Sequence, residues 1–241
     1  MTDIQHAPPL STMAAATGAT VNTYPPQADT VAKLLAGRDM PDAPAVAQGE
    51  LEFRVKPYDY SGKNNGNANI WPDHGTGKIS IGGKSGHVDG GLSGQVTGIG
   101  WVGTTLWFPQ SGHTVRAAPV INWKAGWTLW TGGITGNPRA SARGGVQLQA
   151  YDEHGPISGL AQHELFNQDH SELGLGSENN SWDDGTSTQL EVWFDVPAGA
   201  PRWLNVLAYI DMNADYSSLT NVAAAQAGMD VDVRWIVVDP S

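Results

Sequence analysis

Two strings near the C-terminus set aromatic rings beside oxygen-bearing side chains at every second position. In the first, Glu191, Trp193 and Asp195 alternate with Val192, Phe194 and Val196. In the second, Trp203, Asn205, Tyr209 and Asp211 alternate with Leu204, Val206, Ala208 and Ile210. A period of two is that of a half-buried β-strand, so each polar and aromatic row shares a face turned away from the core. Such a face suits a sugar: a ring covers the apolar C–H face of a pyranose while neighbouring carboxylates and amides bond its hydroxyls. Glu191, Trp193, Trp203, Asn205 and Tyr209 are therefore the candidate ligand-binding residues. The same rings fit equally well under an N-terminal arm, a long loop or a second subunit, because Trp is also an interface residue.

Asp211, Asn213 and Asp215 carry oxygens at alternate positions, as the opening of a calcium loop does. The full EF-hand pattern fails, with Tyr216 at the glycine position and Val222 where the bidentate Glu belongs. A sandwich-type Ca²⁺ loop completed by Asp183 or Asp184 is the metal expectation. The competing one is a turn bonded to its own backbone. His154, His163 and His170 lie among Asp152, Glu153, Glu164, Asp169 and Glu172, a donor set that zinc, iron or manganese accepts. None of their spacings is HxH or HExxH, which favours solvated side chains. Catalysis by a thiol is excluded because the chain has no Cys, and no GxSxG elbow is present. Two carboxylates suffice for a glycosidase, and Glu164, Glu178, Asp183 and Asp184 are available for that role.

The elements that must position these residues follow from the same periodicity. Gln95 to Trp130 holds five of the ten Trp. Within it Thr97, Ile99, Trp101, Gly103, Thr105 and Trp107 oppose Val96, Val102, Leu106 and Phe108. After Pro109-Gln110-Ser111-Gly112, a second run places Val115, Ala117, Pro119, Ile121 and Trp123 on one face, and Pro119 implies an edge or a bulge. Lys124-Ala125-Gly126 has the form of a three-residue hairpin loop, which predicts a three-stranded meander with Trp123 opposite Trp127. Further strands are expected at Leu51–Val55 with Leu51, Phe53 and Val55 inward, at Val146–Tyr151, over 157–166, and at Val231–Val237 with Val231, Val233, Trp235 and Val237 inward. The glycine-rich stretch 61–94 and the polar stretch 167–188 are expected as long connections, apart from a short strand around Ile79 and Ile81. Gly83-Lys84-Ser85 lacks the glycine spacing of a phosphate loop, since Lys78 stands where a glycine is needed. Leu219–Ala227, rich in Ala and followed by Gly228, predicts a short helix.

Residues 1–48 differ in composition: Pro8-Pro9, Pro25-Pro26, Pro41 and Pro44 break an Ala/Thr-rich run. One short helix is expected there, capped by Asp29 and stopped by Gly37. The 241-residue length suits one β domain over residues 49–241 with this segment as an arm. A formal charge of −11 weighs against nucleic acid or an anionic membrane surface as partner. No apolar run reaches 18 residues and no Lys or Arg precedes Lys33, so neither a membrane span nor a secretory signal is expected.

The expected fold is all-β, a two-sheet antiparallel sandwich of jelly-roll type, with a closed antiparallel barrel as the alternative. The first functional expectation is a non-catalytic binding protein whose partner is a glycan or other neutral ligand. The second is a structural subunit of a larger assembly, a homo-oligomer whose arm 1–48 reaches a neighbour. The third is a hydrolase or metal-dependent enzyme with its site in loops 152–188.

Overall fold

The computed structural model describes residues 52–88, 91–133, 138–172, 174–215 and 221–240. The arm 1–48 and its expected helix lie outside the described residues. In chain order the strands are β1 (Glu52–Val55), β2 (Tyr60–Lys63), β3 (Asn69–Asp73), β4 (Lys78–Val88), β5 (Gly91–Ser93), β6 (Gln95–Leu106) and β7 (His113–Gly133). They continue with β8 (Arg139–Asp152), β9 (Gly155–Pro156), β10 (Ala161–His170), β11 (Gly174–Ser187), β12 (Val192–Val196), β13 (Arg202–Asp215) and β14 (Asn221–Pro240).

They form two antiparallel sheets and no closed barrel. The larger runs β11-β7-β14-β4-β3, with β12 also on β7, β1 on β14 and β5 on β4. The smaller runs β10-β8-β13-β6-β2, with β9 on β8. Their inner faces meet in one apolar core. Val115, Ala117, Ile121, Ala125 and Leu129 of β7 face Val102 and Leu106 of β6 and the row Leu204, Val206, Ala208, Ile210 and Met212 of β13. Burying each Val, Leu or Ile there contributes about 1.5–3 kcal/mol. The alternation of β6, β8, β12 and β13 is as their sequences predict.

Several expectations are corrected. The Trp-rich stretch is not a meander: β6 belongs to the smaller sheet and β7 to the larger. Lys124-Ala125-Gly126 is no hairpin but the middle of β7, paired to Asp184–Trp182 on one side and Asp230–Gly228 on the other. Pro119 sits where β7 changes partner, between the β12 pair at Ala117 and the β11 pair at Ile121, a local edge that needs no donor. Asn221–Ala227 is strand, not helix, since the buried Ala223, Ala225 and Ala227 supply the small side chains that β14 needs in the core. Stretch 61–94 folds into β2 to β5, and most of 167–188 into the end of β10 and β11.

Two faces are also reversed. In β1, Arg54 is buried beside Glu52 (2.9 Å) while Phe53 and Val55 are exposed. In β14 a bulge between Val233 and Trp235 shifts the register, so Ile236 and Val238 enter the core and Trp235 and Val237 point out.

Candidate functional site

The sandwich has two outer faces, and register assigns each side chain to one of them, because directly paired residues share a face. On the larger sheet the outward positions of β7 are the even ones, and each extends into a row across the strands. The rows at Arg116, Ala118 and Val120 carry Trp193, then Phe53 and Val237, then Val55 and Trp235. The rows at Asn122, Lys124 and Gly126 carry Thr186, Asp232 and Lys78, then Asp184, Asp230, Ser80 and Trp71, then Trp182, Gly228 and Gly82. Every exposed large apolar side chain among the described residues lies on this face: Phe53, Val55, Trp71, Trp182, Trp193 and Trp235.

The face is thus apolar at one end and polar at the other. The polar end holds a pocket of about 320 Å³, at the small end of the roughly 300–1,000 Å³ that ligand pockets span. Its outward side chains include Lys78, Asn122, Lys124, Asp184, Thr186 and Asp230. Lys124 has a carboxylate on either side, Asp184 of β11 and Asp230 of β14. Thr186 Oγ1 donates to Asn122 Oδ1 at 2.9 Å, leaving the Asn122 amide NH₂ to donate outward. Asp232 is engaged by Lys56 and by Arg234, and Ser80 donates to Asp230. Lys78, Lys124 and Arg234 balance Asp184, Asp230 and Asp232 around the pocket, which fits a neutral, hydroxyl-rich ligand better than an ion.

Trp182 and Trp71 flank this end, 62% and 58% exposed. They stand on strands four steps apart, about 19 Å at the usual strand spacing. Gly126 makes room for the first: a Cβ there would lie 2.8 Å from the Trp182 ring, so the indole rests flat on the bare backbone of β7.

The outer face of the smaller sheet is different. Tyr60, Ile99, Trp101, Tyr151, Trp203, Leu207 and Tyr209 form a second buried cluster on it. Asn205, Gln147, Gln149 and Asp211 are buried among them. Tyr151 Oη donates to Gln149 Oε1 (2.7 Å), Gln162 Nε2 to Tyr209 Oη (2.6 Å) and Gln95 Nε2 to Asp211 Oδ1 (3.0 Å). Burial pushes the Asp211 carboxyl up to about 6, against the pull of Gln95 and Arg143. Burial likewise raises the Tyr60, Tyr151 and Tyr209 hydroxyls.

The sequence-derived platform is therefore split. Glu191 and Trp193 lie on the larger sheet, whereas Trp203, Asn205 and Tyr209 lie on the far side of the sandwich and are buried. Trp193 is 52% exposed, its Nε1 donating to Glu191 Oε1 at 2.9 Å, with Arg116 bonded to Glu191 Oε2 at 2.6 Å and lying 6.0 Å over the ring. Asp211, Asn213 and Asp215 occupy a strand instead of a loop, so their side chains are spaced about 7 Å apart along one face. Among the described residues no three His, Asp or Glu side chains gather as a metal site. His163 Nδ1 meets Ser187 Oγ at 2.7 Å across the edges of the two sheets, but Ser187 is buried and cannot serve as an accessible nucleophile.

Trp71 and Trp182 escaped the sequence-derived site because glycine, asparagine and aspartate surround them. The signal was there in weak form: Asn180, Trp182, Asp184 and Thr186 alternate, as do Asn69, Trp71 and Asp73.

No helix of the described residues is long and apolar enough to cross a membrane. No protein-family model matches the chain, and a search of curated proteins finds no match. Among solved structures it aligns with the CBM22-1 xylan-binding domain of Xyn10C from Paenibacillus barcinonensis, at 8% identity over 81% of this chain and 97% of that one, with a TM-score of 0.20. It aligns with the enzymatically active domain of tailspike protein 4 from bacteriophage CBA120 at 13% identity, covering 82% and 21%, with a TM-score of 0.17. The Arthrobacter globiformis T6 isomalto-dextranase complexed with panose follows at 12% identity, covering 81% and 35%, with a TM-score of 0.16. Likenesses this low carry no argument about function, which must rest on the two faces themselves.

Proposed function

We propose that the chain is a non-catalytic glycan-binding protein whose site is the polar end of the larger sheet's outer face. The observation that carries this is the placement of Trp182 and Trp71, exposed and on one face, on either side of a charge-balanced pocket. The two rings would stack on two sugars several residues apart in one chain, and Asp184, Lys124, Asp230 and the Asn122 amide would bond the hydroxyls between them. Glu191 and Trp193 share the face, with Trp193 paired to Arg116, eight positions before Lys124 in β7, and extend the site for a longer ligand. We also take the order β4-β14-β7-β12 against β6-β13-β8-β10 as jelly-roll wiring, since β6, β7 and β8 alternate between the sheets.

The test is a glycan array probed with the full chain and with Trp182→Ala and Trp71→Ala. Binding to a neutral oligosaccharide, lost in either variant at unchanged Tm, is the expected result. Binding that survives both substitutions together would refute the site.

A second reading, an assembly subunit, is favoured at the other end of the same face, where Phe53, Val55, Trp235 and Val237 form a contiguous apolar patch on β1 and β14. Light scattering of the full chain and of Phe53→Glu decides it. An oligomer reduced to monomer by that substitution supports the reading, and a monomer in both removes it.

A further inference from the structure

The smaller sheet's outer face shows two things that do not belong together on a bare surface. Its central side chains are completely buried: Asn205, Leu207 and Tyr209 have no exposure at all, and Trp203 only 8%. Yet among the described residues the strands make two layers only, and none forms a third layer over this face. Its polar atoms are also left over. Tyr60 Oη, Thr105 Oγ1, Trp203 Nε1, both Asn205 side-chain atoms, Gln147 Oε1 and Asp211 Oδ2 are buried without a hydrogen-bond partner. Native proteins leave few such groups, and with Asn213 Oδ1 at the rim the eight on this face mark a place where a partner belongs.

Their arrangement indicates its chemistry. Tyr60, Thr105 and Trp203 offer hydroxyl and indole donors at the end where β13 begins, with the Asn205 amide beside them, while Gln147 and Asp211 offer acceptors farther along. Around them stand the rings of Trp101, Tyr151 and Tyr209. A row of Trp and Tyr with outward donors is the surface that holds an extended proline-rich chain, whose rings pack on the aromatics and whose carbonyls accept from them.

Such a segment is present in the same chain. Fifty-one residues precede Glu52, with proline pairs at Pro8-Pro9 and Pro25-Pro26. Glu52 opens β1 opposite Val238, at the end of the sandwich where the 107–112 loop and the 197–201 turn join the sheets. The donors of Trp203 and Thr105 lie at that end. About ten extended residues, roughly 33 Å, would cross the sheet. The tether also holds the segment at an effective concentration on the order of millimolar, which favours docking on its own domain over a neighbour's. We propose that the proline-rich segment 1–48 docks, extended, on the Trp/Tyr face of its own smaller sheet and pairs with those leftover polar groups.

The chain has no Cys, so single cysteines report cleanly. A benzophenone maleimide on Thr97→Cys, half-buried at the rim of this face, is photolysed in the full chain in a mixture of ¹⁵N-labelled and unlabelled protein, and adducts are mapped by mass spectrometry. Asn213→Cys, also at the rim, serves if the first variant does not fold. The expected result is adducts within residues 1–48 joining only chains of like isotope, with yield falling several-fold when Pro25 and Pro26 are both changed to Ala. Adducts confined to residues 52–241 would mean the face is closed by its own strands, and mixed-isotope adducts would give it to a second copy. Either overturns the proposal.

Discussion

The two outer faces of the sandwich carry similar residues to opposite ends. Both present Trp at alternate strand positions among carboxylates and amides. On the larger sheet the rings of Trp71, Trp182, Trp193 and Trp235 stand in solvent, while on the smaller sheet Trp101 and Trp203 are buried with three tyrosines. Strand alternation makes a ring point outward but does not decide whether anything lies over it. The same pattern is a row of solvent-exposed rings on one side and a packed layer on the other.

The largest difference between the faces is expected in stability. Trp101→Ala should cost about 3–5 kcal/mol, because it removes a fully buried ring. Trp182→Ala should stay within about 0.5 kcal/mol of the parent, as exposed substitutions do. Chemical denaturation of the two variants measures both, and equal losses would erase the distinction.

Next in size is the effect on affinity. Trp182→Ala should weaken retention on a bound oligosaccharide by about 2 kcal/mol, roughly thirtyfold, if its ring is an anchor. Trp203→Ala, once folded, should retain parental affinity.

Glycine substitutions sharpen the contrast at single positions. A Cβ at Gly103 would fall 2.3 Å from the Tyr60 ring and 2.5 Å from Asn205 Oδ1, both held in the buried face. Gly103→Ala should therefore cost about 1–3 kcal/mol. The atoms nearest a Cβ at Gly126 all belong to the exposed Trp182 ring, which can swing away. Gly126→Ala should lower affinity and leave Tm nearly unchanged, as calorimetry and titration on one sample would show.

The smallest effect is one of pH. In the fold Asp211 is raised from 3.8 to about 6 by burial. Between those values the folded chain keeps a proton that the unfolded chain has released, so this group's contribution to stability declines as pH rises through that window. Asp211→Asn should remove that part of the decline. A Tm–pH profile parallel to the parent's would show that the carboxyl is ionised in the fold.

Much of this was legible in the sequence, and what was not has a physical reason. The inward rows of β6, β8, β12 and β13 follow from period two alone. Sheet membership does not: β12 and β13 are adjacent in sequence yet belong to opposite layers, so Trp193 and Trp203 read as one platform although they face opposite ways. A single bulge reversed Trp235, since one extra residue moves every following side chain to the other face. The Ala-rich start of β14 has high helix propensity, but core packing beside β7 overrides it. Trp71 and Trp182 sit among turn-forming residues, whose composition hid strands that exist because their neighbours pair with them.

Oxidative footprinting of the full chain, read ring by ring by mass spectrometry, tests the contrast between the faces most directly. Trp71, Trp182, Trp193 and Trp235 should be modified quickly and Trp101 and Trp203 slowly, with Trp71 and Trp182 protected when an oligosaccharide is bound. Rapid modification of Trp203 and Trp101, or a bound sugar that shields them in place of Trp71 and Trp182, would contradict it.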